Sequence, residues 1–293
     1  PLPERYTDAS PEELAERIST LVEERRRLER ELSEAKRALA LSGGPAANNG
    51  VGSEKKIGGV SFIGRTLEGV PRALCVGPET NYQPTAEQVA QSWTARTSGL
   101  LVASPANPTG TLIAASAMAG LAACVRERGG ALLVDEIYHG LTYDCDAQTA
   151  VSLSDEIFVI NSFSKYFGMT GWRLGWLVAP SRCVRDIEKL AQNLFISPST
   201  PAQHAALAAF KPETIALLEG RRAEFQARRD FLLPALRRLG FRVAAEPRGA
   251  FYLYADSSTI AHDGEALAHE LIEQAGVAIT PGLDFGDNAP QRH

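Results

Sequence analysis

The chain of 293 residues has few cysteines, no long hydrophobic run and no excess of positive charge. None of its apolar stretches approaches the roughly 18 residues that a membrane-spanning helix needs, which excludes an integral helical membrane protein. The four cysteines are far apart and form no Cys-x-x-Cys pair, so we expect reduced thiols and neither a disulfide scaffold nor a metal site. The formal net charge of -5 argues against a protein that coats nucleic acid.

The sequence also lacks a secretory leader, since no positively charged segment followed by an apolar run opens it. We therefore expect a cytoplasmic protein with neither a membrane nor a nucleic-acid partner. The chain begins at Pro1 and stops at His293, after a loop that contains Gly and Pro and without a closing helix. These two ends predict a chain that is truncated on both sides.

Residues 10–41 consist almost entirely of Glu, Arg, Leu and Ala. Ser10, followed by Pro11 and Glu13, matches a capping box and predicts the start of a helix. Apolar residues then recur in alternating steps of four and three, at Leu14, Ile18, Leu21, Leu28, Leu32, Ala35 and Leu39. This heptad pattern predicts a helical coiled-coil arm over residues 1–44, and the alternative is a solvated helix with one apolar stripe. Residues 45–70 predict a flexible linker and a short strand segment, because they begin with a small, polar, Gly-rich stretch.

From residue 71 onward, short apolar runs alternate with helical stretches, which predicts an α/β fold over residues 71–293. Predicted strands cover residues 99–104, 131–135, 157–162 and 174–178, and predicted helices cover residues 113–128 and 213–239. Strands that are apolar along nearly their whole length are typical of a mainly parallel sheet that is covered on both faces. A smaller α+β lobe is predicted from about residue 240, with strands at 242–245, 250–255 and 277–280 and a helix at 265–275.

Polar side chains with useful chemistry follow the predicted strands at the points where they end. Because ligands of an open parallel sheet bind beyond the carboxyl ends of its strands, we expect these side chains to form a site. They are Asn107, Asp135, Tyr138, Ser162, Ser164, Lys165 and Arg173. We expect Trp172 and Trp176 to be core residues and not part of this site.

These groups together suit one cofactor chemistry. A deprotonated lysine forms an imine with an aldehyde, and a carboxylate keeps a ring nitrogen protonated so that the ring accepts electrons. A phenol and an amide hydrogen-bond a ring oxygen, while hydroxyls and a guanidinium hold a phosphate. This is the set of groups that pyridoxal 5'-phosphate requires. Each residue also has a purely structural alternative: Lys165 at the surface, Asp135 as a helix cap, Tyr138 in the core and Arg173 in a salt bridge.

Three segments of the chain, NSFSKYFGMTGWRLGW, ASPANPTG and VDEIYHGLTYD, resemble motifs of the fold-type I, class I/II aminotransferases. The resemblance runs over about residues 70–293 and implies the large domain of that fold with part of its small domain. Two further segments, EPRGAFYLYAD and the Thr280-Pro281-Gly282 loop, resemble regions near the substrate in that family. The resemblance implies an enzyme that moves an amino group between an amino acid and a 2-oxo acid, and a homodimer for the intact family.

The same resemblance implies a role for each candidate residue. Lys165 would be the lysine that forms the aldimine and transfers protons, Asp135 would face the ring nitrogen, and Tyr138 would contact the ring hydroxyl. These three would be the catalytic residues. The cofactor-binding residues would be Asn107, Asp135, Tyr138, Ser162, Ser164, Lys165 and Arg173.

Two alternatives stay open at this point. Carbon–sulfur lyases, decarboxylases and cyclising synthases of fold-type I share these motifs, and the front part of the family and its arginine for the substrate carboxylate are missing here. The chain could also be a non-catalytic fragment or fusion that carries an interaction arm. Residues 1–70 resemble the C-terminal linker and coiled-coil region of alanyl-tRNA synthetases, in SPEELAERISTLVEERRRLERELSEAKRALALSGG and GGVSFIGRTLEGVP, but hold none of the motifs for tRNA charging or editing.

Overall fold

The computed structural model describes residues 70–285 and 289–293. They belong to the second of two units into which the chain divides, Pro1–Glu54 and Lys55–His293. Residues 1–69 lie outside the described residues. They include the predicted coiled-coil arm, nearly all of the linker and strand segment at 45–70, and nearly all of the synthetase-like region. The domain boundaries proposed from the sequence therefore stay predictions.

The described part is built on a four-stranded sheet in which strand order follows chain order. The strands are β1 (Gly99–Ala103), β2 (Ala131–Asp135), β3 (Phe158–Ser162) and β4 (Gly175–Val178). Strands β1, β2 and β3 run parallel, with Ala103 opposite Asp135 and Asp135 opposite Ile160. The predicted α/β fold with a mainly parallel sheet is confirmed, and the carboxyl ends of these strands share one edge of the sheet.

Strand β4 runs antiparallel to β3. The connection between them holds only a short 3-10 helix, Thr170–Trp172, and the Phe163 amide donates to the Leu174 carbonyl at 3.1 Å. A parallel partner requires a longer crossover that carries the chain back across the sheet, usually through a helix. The connection therefore folds back as a hairpin, which the apolar pattern of the strand did not reveal.

In the part of the chain that the structure describes, six helices surround or follow the sheet. They are α1 (Ala86–Ser92), α2 (Ala115–Glu127), α3 (Ser181–Leu194), α4 (Thr200–Ala209), α5 (Pro212–Arg238) and α6 (Gly264–Ala275). Short 3-10 helices lie at Pro78–Thr80, Ala150–Ser152, Thr170–Trp172, Gly282–Asp284 and Pro290–Arg292. The predicted helices at 113–128, 213–239 and 265–275 are confirmed to within two residues at each end.

One hydrophobic cluster holds the sheet to its helices. Leu121 and Val125 of α2 pack with Val134 of β2, and all three are almost fully buried. Helix α1 begins at a capping box in which the Gln88 amide donates to Thr85 Oγ1 and the Thr85 amide donates to the Gln88 side chain. Burial of such aliphatic side chains stabilises a fold by about 1.5–3 kcal/mol each, so this cluster fixes the frame on which the polar strand ends stand.

The segments predicted as strands after residue 240 are not strands in the described residues. The only pairing there consists of two isolated antiparallel bridges, between Arg242 and Asp256 and between Thr142 and Gly249. A strand is stabilised by a ladder of backbone hydrogen bonds to a neighbour, and these segments have no neighbour along their length in the part that the structure describes. Residues of this segment instead contact the loop that follows β2, where the Ala250 amide donates to the Leu141 carbonyl and the Tyr252 hydroxyl meets that of Tyr138.

Strand β4 is exposed along its whole length. The exposed fractions of Trp172 and Trp176 are 48% and 38%, so the expectation that both are core residues is wrong. Trp176 lies on β4, the last strand of the described sheet, and Trp172 lies in the 3-10 helix just before that strand. Among the helices of the described residues, none has the length and apolar character to cross a bilayer.

Candidate active site

Asp135 is the last residue of β2 and lies half-buried at the carboxyl edge of the sheet. Its Oδ1 accepts a hydrogen bond of 3.0 Å from the Ile137 amide, so the carboxylate closes a turn and does not cap a helix. Burial raises the pKa of Asp135, the Ile137 amide lowers it, and the neighbouring Glu136 carboxylate raises it. The net effect is a pKa above the usual value, because removal from water disfavours the charged form.

Tyr138 lies on the loop after β2 and is buried, with 4% of its surface exposed. Its hydroxyl is 2.6 Å from the hydroxyl of Tyr252, which lies 114 residues further along the chain. Burial is the main reason that the pKa of Tyr138 is raised, and the hydrogen bond to Tyr252 and the Asp135 carboxylate act in the same direction. The phenol therefore keeps its proton over the physiological pH range and is a hydrogen-bond donor.

Lys165 follows β3 and is half-buried between two aromatic rings. Its Nζ lies 5.4 Å from the centroid of the Tyr138 ring and 5.5 Å from that of the Phe251 ring. No carboxylate within residues 70–285 and 289–293 forms an ion pair with this amine. Tyr138 is thus near both groups: the Lys165 amine lies over its ring, and the Asp135 carboxylate raises its pKa.

The chain between β3 and β4 brings hydroxyl groups together beside Lys165. Ser162 Oγ accepts a bond of 3.0 Å from the Ser164 amide and lies 2.9 Å from Ser164 Oγ. It also lies 3.1 Å from the Leu174 carbonyl, which ties the end of β3 to the start of β4. Thr170 Oγ1 donates to the Ser164 carbonyl at 2.6 Å. The sequence analysis did not single out Thr170, because a threonine of a glycine-containing loop carries no pattern of its own.

Arg173 lies just before β4 in the left-handed region, with a φ of 53°. Its side chain is exposed, and Nη1 donates to the Thr170 carbonyl at 2.9 Å. In the part of the chain that the structure describes, Arg173 forms no salt bridge, so the structural alternative for this residue is not observed. Its remaining guanidinium donors face no protein acceptor there, and they are able to bind an anion such as a phosphate.

Asn107 lies on the loop after β1 and is exposed. The loop is anchored by Gln83, whose buried side chain donates to the carbonyls of Ala103 and Thr111 at 3.2 and 3.1 Å. The Asn107 amide makes no hydrogen bond to another described residue. The structure thus brings Tyr138 and Lys165 into one cluster near Asp135 and places Ser162, Ser164 and Arg173 on the adjoining hairpin. In the described part of the chain, no hydrogen bond or ion pair joins Asn107 to either group.

Phe251 and Tyr252 belong to this cluster, and the sequence analysis did not identify them individually. They lie in the segment EPRGAFYLYAD, whose three aromatic residues were the available signal. Sequence periodicity assigned that segment to a strand, but its contact with Tyr138 and Lys165 depends on the packing of residues more than 80 positions apart. Only the folded chain shows which of the aromatic side chains faces the site.

The donor set fits pyridoxal 5'-phosphate. Lys165 provides an amine that no described carboxylate holds in an ion pair, and Asp135 provides an acid for a ring nitrogen. Tyr138 provides a protonated phenol for a ring oxygen, and Arg173 provides unpaired donors for a phosphate. The arrangement can therefore hold an aldehyde-bearing, phosphorylated aromatic ring and can move a proton at Lys165 Nζ.

Comparison with known proteins agrees with this chemistry. The sequence model of the family described as "Aminotransferase class I and II" matches residues 66–291. The valine–pyruvate aminotransferase of Mycobacterium tuberculosis is 44% identical over 211 residues, which are 71% of this chain and 54% of that protein. The aspartate/prephenate aminotransferase of Thermus thermophilus is 37% identical over 211 residues, with the same coverage of 71% and 54%.

Solved structures give the same result. A crystal structure of an aminotransferase from Mycobacterium tuberculosis superimposes with a TM-score of 0.72 at 42% identity, covering 76% of this chain and 58% of that one. The aspartate aminotransferase of Thermus thermophilus with maleate gives a TM-score of 0.73 at 34% identity, covering 78% and 60%. The chain spans about half the length of the curated relatives that it matches. The family match over three quarters of the sequence shows that the chain belongs to the class I and II aminotransferases.

Proposed function

We propose that this chain binds pyridoxal 5'-phosphate through Lys165 and serves the transfer of an amino group from an amino acid to a 2-oxo acid. Class I and II aminotransferases such as aspartate aminotransferase use this cofactor. The observation that carries the proposal is the position of the Lys165 amine, 5.4 Å from the centroid of the Tyr138 ring and without a carboxylate partner among the described residues. The Asp135 carboxylate also raises the pKa of Tyr138, which supports a common location of the amine and the acid near this phenol.

Each residue of the site has a role in this proposal. The bound cofactor supplies an aldehyde that takes up the amino group and a ring that stabilises negative charge. Lys165 Nζ accepts and returns the proton at the substrate α-carbon, because it is the basic nitrogen of the cluster. The Asp135 carboxylate holds a proton on the ring nitrogen, and the Tyr138 hydroxyl donates to the ring oxygen.

The remaining candidates would bind and orient the cofactor. Ser162, Ser164 and Arg173 would hold the phosphate, since their hydroxyls and guanidinium lie on the hairpin that follows β3. Asn107 would donate to the ring oxygen from the loop after β1. We further propose that residues 71–293 form the cofactor-binding part, with a smaller lobe from about residue 240, and that the protein acts as a cytoplasmic homodimer.

The experiment is cofactor capture by the purified chain. Addition of pyridoxal 5'-phosphate should produce an absorption band in the visible range, and borohydride should then attach the cofactor irreversibly. Mass spectrometry of the digested protein should locate the modification on Lys165. Lys165→Ala should lose both the band and the modification.

The matched control is Lys189→Ala, which removes an exposed lysine of α3 that lies 3.2 Å from Asp186. This variant should behave as the wild-type chain. It is needed because free aldehydes also modify surface lysines at a low level, and it shows how much of the labelling comes from such a lysine. Equal labelling of wild type and Lys165→Ala would overturn the proposal. Conversion of pyruvate to alanine with valine, aspartate or another amino donor tests the transfer itself, and release of sulfide or carbon dioxide instead would assign a different reaction to the same site.

A further inference from the structure

The phenol of Tyr138 has a second phenol as its partner. The hydroxyl oxygens of Tyr138 and Tyr252 are 2.6 Å apart, and the ring centroids are 5.6 Å apart with an interplanar angle of 78°. The hydrogen bond fixes the position of the Tyr138 oxygen, and the edge-to-face contact restricts rotation of its ring. Tyr252 therefore limits both the place and the direction of the group that is proposed to bind the cofactor ring.

The segment that carries Tyr252 is itself held firmly. Ala250 is fully buried, its amide donates to the Leu141 carbonyl at 2.9 Å, and its carbonyl accepts from the Tyr143 hydroxyl at 2.7 Å. The ring of Phe251 stacks on Phe225 of α5, with centroids 5.7 Å apart and an angle of 27°. These contacts fasten the residues before Tyr252 to the loop that carries Tyr138, so the pair of hydroxyls is positioned by backbone that cannot shift independently.

We infer that Tyr252 is a positioning residue, which donates its hydroxyl hydrogen to Tyr138 and so directs the hydrogen of Tyr138 to the cofactor ring. This inference rests on the proposed function of the site. Each phenol has a single hydrogen to donate, so Tyr138 can donate to the ring only when Tyr252 is the donor within the pair. A donor behind Tyr138 also polarises its O–H bond, because hydrogen bonds in a chain strengthen one another.

Among the described residues, three titratable groups interact with Tyr138. They are Asp135, Tyr252 and Lys165, whose amine lies over the Tyr138 ring. Asp135 and Lys165 have proposed roles of their own, whereas Tyr252 contacts Tyr138 and has no other side-chain hydrogen bond in the described residues. A change at Tyr252 consequently tests the pair without removing a group that binds the cofactor.

The test compares Tyr252→Phe with the matched control Tyr254→Phe in the cofactor-loaded chain. Tyr254 lies two residues further along and contacts Tyr82 and His293 through its ring. Loss of one hydrogen bond corresponds to an affinity change of about five- to tenfold. We expect Tyr252→Phe to weaken pyridoxal 5'-phosphate binding by about that factor. It should also shift the pH at which the intensity of the visible band has changed by half, the band midpoint, by about half a pH unit or more. Tyr254→Phe should change neither quantity.

A second measurement uses the cofactor-free chain. The test is a double-mutant cycle of Tyr138→Phe, Tyr252→Phe and the variant that carries both changes. We expect the factor by which the double variant changes the unfolding equilibrium constant to differ about fivefold from the product of the factors of the two single variants. An additive cycle overturns the inference, and so does an unchanged band midpoint in a Tyr252→Phe chain that loads normally. A wild-type chain that forms no band with Lys165 overturns the proposed function. The other two failures overturn only the role of Tyr252, provided that the wild-type chain forms the band.

Discussion

The amine nitrogen of Lys165 lies 5.5 Å from the centroid of the Phe251 ring. Lys165 follows a central strand of the sheet, and Phe251 belongs to a segment that follows the long helix α5. An aromatic face attracts a cation and provides an apolar wall for a neutral amine. The contact shows that the site is built from two segments that are distant in the sequence, and changes in either segment should affect cofactor binding.

Arg173 should bind the cofactor through its phosphate. Among residues 70–285 and 289–293, its guanidinium has one partner, the Thr170 carbonyl at 2.9 Å, so most of its donors are available to an anion. We expect Arg173→Gln to weaken pyridoxal 5'-phosphate binding by about 10–100-fold, the range for a lost charge-assisted hydrogen bond, and to leave binding of pyridoxal within about twofold. Titration of the visible band with both compounds measures the ratio.

The control for this prediction is Arg182→Gln on α3, which removes an exposed arginine that pairs with Glu156. The Arg182→Gln chain should prefer pyridoxal 5'-phosphate over pyridoxal to the same extent as the wild type. An Arg173→Gln chain that loses affinity equally for pyridoxal and its phosphate would contradict the assignment, because the arginine would then act on the fold and not on the phosphate.

Asp135 should oppose folding at neutral pH while it favours cofactor binding. Burial raises the pKa of Asp135, so the folded chain holds this proton more tightly than the unfolded chain. The stability from that proton is fully present below the unfolded pKa and is lost as the pH rises through the folded pKa. We expect cofactor-free Asp135→Asn to melt above the wild type at pH 7, with a difference that shrinks towards pH 3, because asparagine stays neutral and still accepts from the Ile137 amide.

The same variant should bind pyridoxal 5'-phosphate about tenfold or more weakly, since an amide cannot hold a proton on a ring nitrogen as a carboxylate does. Melting curves of the cofactor-free chain and cofactor titrations together measure the two opposite effects. Lower melting temperatures at pH 7, or unchanged binding, would show that the carboxylate serves the fold alone.

Thr149 should stabilise the loop after β2 by donating a hydrogen bond to the buried carboxylate of Glu136. Glu136 is 3% exposed, and its two oxygens accept from Thr149 Oγ1 at 2.8 Å and from the Ala150 amide at 2.7 Å. A hydrogen bond to a charged group contributes about 1.5–3 kcal/mol, so Thr149→Val should lower the free energy of unfolding by about that amount. Urea denaturation measures it, and Ser152→Ala, which loses an exposed bond to the Thr149 carbonyl, should change it by less than about 1 kcal/mol.

Gly110 should be required where the loop after β1 meets residues 247–249. Its φ is +66°, and a Cβ there would lie 2.6 Å from the Gly249 carbonyl oxygen. Gly129 has a φ of +68° with no atom within 4 Å of its Cβ position, so Gly129→Ala introduces only the left-handed strain of about 1 kcal/mol. Gly110→Ala should lower the free energy of unfolding by about 1–3 kcal/mol more than Gly129→Ala does, as measured by urea denaturation. Equal effects of the two changes would show that the Gly249 carbonyl moves away from the new Cβ without cost.

The sequence predicted most of the elements that carry the site. The strands ending at Asp135 and Ser162 were expected within one residue of their observed bounds, because short apolar runs bounded by polar residues have few other stable arrangements. The expectation that Asp135 and Lys165 lie near each other rests on a general property of parallel sheets, whose carboxyl ends share an edge. The position of the Lys165 amine over the Tyr138 ring and the effect of Asp135 on the Tyr138 pKa agree with that expectation.

Several features depended on partners that are distant in the sequence. The antiparallel direction of β4, the exposure of Trp176 and the missing strand ladder after residue 240 reflect which neighbours an element finds, and periodicity does not encode the neighbour. Tyr252 is the clearest example, since alternation in its segment indicates a strand but not that its hydroxyl meets Tyr138.

The amino-acid sequence by itself thus determined the α/β fold, the strand ends and the chemical groups that stand there, because these depend on local composition and on the geometry common to all parallel sheets. Only the tertiary structure decided which aromatic residues surround the Lys165 amine and which phenol orients Tyr138. Such contacts depend on the packing of segments up to 114 residues apart, and no local pattern specifies the distance between them.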